Sequence, residues 1–172
     1  FHPQTARLIE LVKQGVIGDA RLIRSSFGFD MGGFRPEHRL FSNDLAGGGI
    51  LDVGGYPVSM VRLLAGAVSG SSYAEPVSVS GAAHLGQSGV DEWASAVLKF
   101  ESGIVAEVSC SIMANQDNTL RIIGSKGRIE VKDFWFAGGR KGGTGEIELF
   151  QGDERDGVEV TESCPLYSFQ YG

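Results

Sequence analysis

Residues 47–58 read GGGILDVGGYPV, a stretch in which five glycines surround one carboxylate and one phenol. The glycines allow the backbone to approach another group closely. The apolar periodicity from Ile50 to Leu64 predicts a helix, on which Asp52 and Tyr56 are four residues apart and share one face. A carboxylate beside a phenol can orient it or hold a substrate hydroxyl that both share. The alternative interpretation makes Asp52 a helix cap and Tyr56 a half-buried aromatic residue.

The sequence on either side of this stretch predicts an α+β fold. Before it come a helix from Pro3 to Gln14, a strand from Ala20 to Asp30 and a long loop from Met31 to Asp44. After it, seven short segments predict strands: Val77–Leu85, Trp93–Phe100, Ile104–Ile112, Thr119–Ile123, Arg128–Val131, Glu146–Phe150 and Val158–Thr161. Their tight turns favour antiparallel pairing, so we expect an open, mostly antiparallel β-sheet with helices packed on one face.

The composition limits the partners that the chain can have. Its 15 basic and 21 acidic residues give a net charge of −6 without a basic stripe, so we expect neither nucleic acid nor membrane as a partner. His2, His38 and His84 lie far apart without ligand spacing, so no metal site is expected. Cys110 and Cys164 are typical of free thiols in a reducing compartment, which predicts a cytoplasmic protein.

Two further patterns favour surface structure over function. Residues 138–145 read GGRKGGTG, but the lysine precedes the last glycines and a strand follows, so we expect a loop rather than a phosphate-binding helix start. Asp91 and Glu92 follow Gly89 and are interpreted as a solvated turn. A Gly-x-Gly-x-x-Gly fingerprint is absent from the sequence, so no Rossmann domain is expected in this chain.

The stretch at residues 47–56 resembles the C-terminal domain of the Gfo/Idh/MocA oxidoreductases. That family carries a triple glycine followed by Asp-x-Gly-x-(His or Tyr), which here stands as Asp52, Gly54 and Tyr56. The Tyr-Pro version is most similar to the branch with dihydrodiol dehydrogenase, xylose dehydrogenase and glucose–fructose oxidoreductase. Weaker matches are Phe1–Gln4, Gly15–Gly18, Arg39, Ile122–Ile129, Tyr167 and Gln170.

The resemblance implies one part of a two-domain enzyme. Its relatives bind NAD or NADP mainly through an N-terminal Rossmann domain that ends in a Glu-Lys-Pro motif. Residues 1–172 are therefore expected to be a single substrate-binding and oligomerisation domain, truncated at both ends and inactive by itself. The implied substrate is a small carbohydrate or diol: a sugar, a polyol or a dihydrodiol. The alternative hypothesis is a stand-alone dimerisation or small-molecule binding module without catalysis.

The resemblance also assigns roles to individual residues. Tyr56 is expected to transfer the proton of the substrate hydroxyl, and Asp52 to orient the substrate or Tyr56. Arg39 and His2 are candidates for the wall of the substrate pocket, although Arg39 could equally form a surface salt bridge. Gly48 and Gly49 are the expected cofactor contacts.

We also expect a homo-oligomer formed through the free face of the sheet. This prediction rests on alternating apolar residues in the predicted strands, namely Val97, Phe100, Val105 and Val108. The alternative is that a helix of the same chain covers this face.

Overall fold

The computed structural model describes residues 2–137, 143–152 and 154–164. The strands in these ranges are β1 (Ala20–Gly28), β2 (Pro76–Leu85), β3 (Asp91–Phe100), β4 (Val105–Ser111), β5 (Leu120–Gly124), β6 (Gly127–Val131), β7 (Gly143–Gln151) and β8 (Glu154–Cys164). They form one sheet in the order β2-β3-β4-β1-β5-β6-β7-β8. The helices α1 (Pro3–Lys13) and α2 (Gly55–Val68) pack on one face of it.

The centre of the sheet contains its single parallel pair among the described strands. β1 runs parallel to β4 and antiparallel to β5, so that Ile23 lies between Ala106 and Ile122. The other neighbouring strands pair antiparallel. The predicted α+β fold, with a mostly antiparallel sheet and helices on one face, is therefore confirmed, and the described residues contain no doubly wound parallel sheet.

The two helices form where apolar residues recur at helical spacing. In α1, Pro3 occupies the first turn, where its missing N–H costs nothing, and Leu8 and Leu11 are buried. In α2, Val61 and Leu64 are completely buried in the main core between the helices and the sheet. Neither helix has the length and apolar character needed to cross a membrane, within the ranges that the structure describes.

The strands separate a helix-covered face from an open face, which corrects one prediction. Phe100 is 1% exposed and Val108 is 6% exposed, and both face the helices. Their assignment to the free face is therefore wrong. Side chains alternate along a strand, so residues an odd number of positions apart lie on opposite faces. Val97 and Val105 do lie on the open face, and Val97 is 45% exposed.

The boundaries of some predicted elements also differ. β8 begins at Glu154, upstream of the predicted start at Val158, and β7 begins at Gly143, inside the segment predicted as a loop. Residues 138–142 of that segment, and the matches at Phe1, Tyr167 and Gln170, lie outside the described residues.

Candidate functional site

The stretch around the triple glycine forms a π-helical turn that leads into α2. This turn covers Ile50–Gly54, and the Asp52 N–H donates to the Gly48 carbonyl oxygen at 3.1 Å. The chain before the turn is tied back to a short 3₁₀ helix, Arg39–Phe41, because the Gly48 N–H donates to the Leu40 carbonyl at 2.9 Å. π-helical turns of this kind occur frequently at functional sites.

Close packing within the protein accounts for the three glycines. A Cβ at Gly47 would lie 2.7 Å from the Arg39 carbonyl oxygen, and a Cβ at Gly48 would collide with the Asp91 carboxylate. Gly48 also has a backbone φ of +103°, a value that residues with a side chain rarely adopt. At Gly49 a Cβ would lie 3.2 Å from Asp91 Oδ2. The glycines therefore do allow a close approach, as expected, but the groups that they approach belong to this same chain.

Arg39 and Asp52, predicted separately as site residues, form an ion pair. Arg39 Nη2 donates to Asp52 Oδ1 at 2.6 Å. The Asp52 side chain is only 14% exposed, whereas that of Arg39 is 58% exposed. The interpretation of Asp52 as a helix cap is wrong, because the cap position of the turn is Gly49 and Asp52 lies inside the turn. Arg39 does form a salt bridge near the surface, but its partner is the candidate catalytic carboxylate.

Tyr56 lies in the first turn of α2 against an aromatic cluster. Its ring packs edge-on against Phe27 and Trp135, with centroid distances of 5.5 and 5.8 Å. Phe27 and Trp135 stack on each other, and the Trp135 indole N–H donates to the Ser26 carbonyl at 2.6 Å. Tyr56 is 51% exposed, and its hydroxyl has no hydrogen-bond partner in the described part of the chain. The ring is thus held while the hydroxyl stays available.

His2 lies at the N-terminus of α1, where its Nδ1 accepts from the Gln4 N–H at 3.2 Å. Burial, followed by the positive N-terminus, lowers the pKa of His2. α1 contacts β7 and β8, whereas the turn carrying Asp52 packs on β4 and α2 packs on β1. The structure therefore places His2 over a different part of the sheet from the Arg39–Asp52 pair.

The π-helical turn Ile50–Gly54 is contacted by two residues that were not predicted as site residues. Asp91 Oδ2 accepts from the Ile50 N–H at 2.7 Å. The interpretation of Asp91 and Glu92 as a solvated turn is wrong, because both belong to β3 and Glu92 is 9% exposed. One helical turn further on, the Cys110 sulfur lies 3.0 Å from where a Gly54 Cβ would be. Burial, followed by the Asp91 charge, raises the pKa of the Cys110 thiol to about 11, so this thiol is neutral at ordinary pH.

A cavity of about 340 Å³ lies beside Cys110, between the start of α2 and strands β2–β4. Its lining is small and mostly apolar, including Gly54, Ala94 and Val108. No group of three His, Cys, Asp or Glu residues able to hold a metal occurs in the residues that the structure describes. Arg39, Asp52 and Tyr56 are not among the described residues that line this cavity.

Comparison with known proteins identifies the family. Residues 5–130 match the GFO/IDH/MocA C-terminal domain. The chain belongs to this family. Mouse trans-1,2-dihydrobenzene-1,2-diol dehydrogenase is 33% identical over 135 residues, which are 78% of this chain and 38% of the mouse protein. The bovine enzyme of the same name is 32% identical over 133 residues, 77% of this chain and 37% of its own length.

Solved structures share the fold of this chain. A 3-ketoreductase from Actinomadura kijaniata, solved with NADP and TDP-benzene, is 21% identical with a TM-score of 0.72, over 95% of this chain and 46% of that chain. An aldose-aldose oxidoreductase from Caulobacter crescentus, complexed with glycerol, is 25% identical with a TM-score of 0.70, over 94% and 45%. The resemblance predicted from residues 47–56 is thus confirmed. This chain spans less than half the length of each of these relatives.

Proposed function

We propose that this chain is the substrate-binding part of an NAD- or NADP-dependent oxidoreductase. The reaction transfers a hydride between the nicotinamide and a hydroxyl-bearing carbon of a sugar, polyol or dihydrodiol. The observation that carries this proposal is the half-exposed Tyr56 hydroxyl, one helical turn after an Asp52 carboxylate that Arg39 holds at 2.6 Å. Membership of an oxidoreductase domain family supports it.

The described residues fit a small hydroxylated substrate better than a whole dinucleotide. The Asp91 carboxylate fills the space beside Gly48 and Gly49, where a cradle for phosphates would have to be open. We therefore assign the cofactor mainly to a nucleotide-binding domain such as the family resemblance implies. Gly48 and Gly49 remain proposed cofactor contacts, although the Gly48 N–H donates to the Leu40 carbonyl and the Gly48 carbonyl accepts from the Asp52 N–H within this chain.

The proposed chemistry of this chain is the movement of one proton. NAD or NADP, when bound, supplies or accepts the hydride. The substrate hydroxyl loses its proton during oxidation, and Tyr56 Oη is the group that takes it. A phenol accepts this proton only as the phenolate, so a nearby cation must stabilise the phenolate. Arg39 is already paired with Asp52, and the lysine of the family's Glu-Lys-Pro motif is the proposed cation.

The surroundings of Tyr56 favour a cyclic diol among the possible substrates. Phe27 and Trp135 form an apolar aromatic surface beside the phenol, on which an unsaturated carbon ring can stack. The Asp52 carboxylate can accept a hydrogen bond from a second hydroxyl on that ring. The relatives at 32–33% identity are named as dihydrodiol dehydrogenases, which agrees with this choice. His2 remains a proposed pocket residue without a contact that supports it.

Oligomerisation through the open face and a cytoplasmic location are also proposals. The open face carries exposed apolar side chains, including Trp93 and Val97, that a second copy could cover. Cys110 is a free thiol, as expected in a reducing compartment. The same exposed residues are what the alternative function, a dimerisation module without catalysis, would use.

A tyrosine pair in this domain tests the catalytic proposal. In the enzyme that carries this domain with a nucleotide-binding domain, Tyr56→Phe is expected to lower kcat by about 100-fold or more, because general acid–base catalysis is lost. Tyr73→Phe is the matched control, since Tyr73 is also 51% exposed but packs against Arg62. Turnover of Tyr56→Phe close to that of Tyr73→Phe would refute the catalytic role of Tyr56. Micromolar binding of NADPH by the isolated 172-residue chain would refute the assignment of the cofactor to another domain.

A further inference from the structure

The π-helical turn Ile50–Gly54 is capped by a residue from a distant strand. Its first residue, Ile50, donates its backbone N–H to Asp91 Oδ2 at 2.7 Å. Gly49, immediately before the turn, provides no side-chain cap. Backbone N–H groups at the start of a helix need acceptors and carry a partial positive charge, so a carboxylate is the acceptor that satisfies both requirements. Asp91 therefore does for this turn what a local Ser or Asp does in most helices.

The same carboxylate determines the backbone path that leads into the turn. Gly48 can lie against Asp91 only without a side chain, and Gly49 has room for a Cβ only at the tight distance of 3.2 Å. Asp91 thus contacts the chain at three consecutive residues. Because it belongs to β3, its own position is set by the sheet. The segment before Asp52 is consequently held against a rigid element.

The sheet holds the turn at a second point, one helical turn further on. Gly54 packs on the Cys110 side chain in β4, close enough that a Cβ there would lie 3.0 Å from the sulfur. Asp52 lies between the contacts at Ile50 and Gly54, and Tyr56 follows them directly. The two contacts therefore limit both the shift and the rotation of the segment that carries the site.

We propose that Asp91 is a positioning residue that holds Asp52 and Tyr56 in register with the substrate. This inference rests on the proposed function, because it assigns to Asp91 a contribution to the rate. Without the carboxylate, the Ile50 N–H loses its acceptor, and the glycines lose the surface against which they pack. Asp52 and Tyr56 then shift relative to Arg39, Phe27 and Trp135.

The kinetic test uses two substitutions of Asp91 in the enzyme that carries this domain. Asp91→Ala is expected to lower kcat by about 100-fold with little change in KM, since a displacement of ~1 Å of reacting groups has that effect. Asp91→Asn retains an oxygen acceptor for the Ile50 N–H and is expected to recover most of the rate. Failure of Asp91→Asn to recover more activity than Asp91→Ala would contradict a role through that hydrogen bond.

Asp117→Ala is the matched control for a purely structural loss. The Asp117 carboxylate accepts from the Ser26 hydroxyl at 2.6 Å, and so supports the fold without touching residues 47–54. It is expected to reduce stability but to leave kcat per folded enzyme unchanged. Equal losses of kcat in Asp91→Ala and Asp117→Ala, or normal kcat in Asp91→Ala, would overturn the proposal.

Amide hydrogen exchange on the 172-residue chain separates this proposal from the proposed function. Asp91→Ala is expected to speed exchange at Ile50 and Asp52 by about fivefold, the effect of losing one helix cap, whereas Asp117→Ala leaves both unchanged. If the enzyme catalyses no hydride transfer, the proposed function is refuted. Faster amide exchange in Asp91→Ala would still support the role of Asp91 as the cap of the turn. Unchanged exchange at both amides would overturn the positioning role, whatever the enzyme does.

Discussion

The two faces of the sheet differ although the same strands build both. On the covered face, Leu98 and Ala106 are 2% and 0% exposed beneath the helices. On the open face, neighbouring strands are joined by exposed ion pairs, of which Arg24–Glu107 at 2.7 Å is an example. Such surface pairs contribute less than about 1 kcal/mol, whereas each buried apolar side chain contributes about 1.5–3 kcal/mol. The fold is therefore stabilised from the covered face.

The aromatic residues show the same difference. On the covered side, Tyr56 meets Phe27 and Trp135 next to a carboxylate and a guanidinium. On the open face, His84 and Trp93 stack at 4.0 Å, and Trp93 is 44% exposed. The covered side combines a held phenol with charged groups, so it can carry chemistry. The open face presents exposed apolar side chains, which the proposed second copy would cover.

The largest expected effect separates two adjacent residues of β3. Leu98→Ala removes a buried side chain from the covered face and is expected to lower the free energy of unfolding by about 2–5 kcal/mol. Val97→Ala changes the open face and is expected to stay within about 0.5 kcal/mol. Urea denaturation of the two variants measures both values. Similar losses would mean that the open face is covered in solution, and a concentration-dependent loss for Val97→Ala would point to a dimer.

Substitutions of two glycines beside the π-helical turn, Gly48 and Gly55, compare a position that packs on the sheet with one that does not. Gly48→Ala is expected to destabilise the chain by at least about 1–3 kcal/mol, because a side chain at φ +103° is strained and collides with Asp91. Gly55→Ala is the control: its φ of −60° is helical and a Cβ meets nothing within 4 Å, so a gain of up to about 1 kcal/mol is expected. Equal unfolding free energies for the two variants would show that Asp91 does not lie against Gly48.

The smallest expected effect concerns Asp117, beside the open face. The hydrogen bond from the Ser26 hydroxyl is the main cause that lowers the pKa of Asp117 below its usual value of 3.8. Because the folded-state pKa is lowered, this group stabilises the fold above the unfolded-state pKa, and the contribution is lost as pH falls through the folded-state pKa. Asp117→Asn should therefore reduce the loss of stability that accompanies a fall in pH below the usual Asp pKa value of 3.8. Acid-unfolding curves that coincide for wild type and variant would contradict this.

Much of the fold follows from local patterns, but the central pairing does not. Period-two alternation predicted strands such as β3 and β4 because one face of each of these is buried, and Gly15, at φ +67°, follows the predicted first helix. The parallel pairing of β1 with β4 joins segments separated by α2, β2 and β3, so no turn chemistry reveals it. The assignment of Phe100 to the open face failed because Val97 and Phe100 are three positions apart, and residues an odd number of positions apart on a strand lie on opposite faces.

The candidate site divides in the same way. The spacing of Asp52 and Tyr56 is local, and a helix brings both to one region. Arg39 was selected by resemblance, and the short 3₁₀ helix makes it a partner of Asp52. Asp91 carried no signal, because its contact with Ile50 spans 41 positions and depends on how β3 meets the π-helical turn.

The sequence by itself determined the family, the helix and strand periods, and the presence of a carboxylate and a phenol one helical turn apart. These are properties of neighbouring residues, which backbone geometry relates directly. Only the tertiary structure decided which groups the glycines approach, that Arg39 holds Asp52, and that Asp91 caps the turn from another strand. Such contacts arise when distant segments pack together, and the shape of the packed core, rather than sequence spacing, determines which atoms meet.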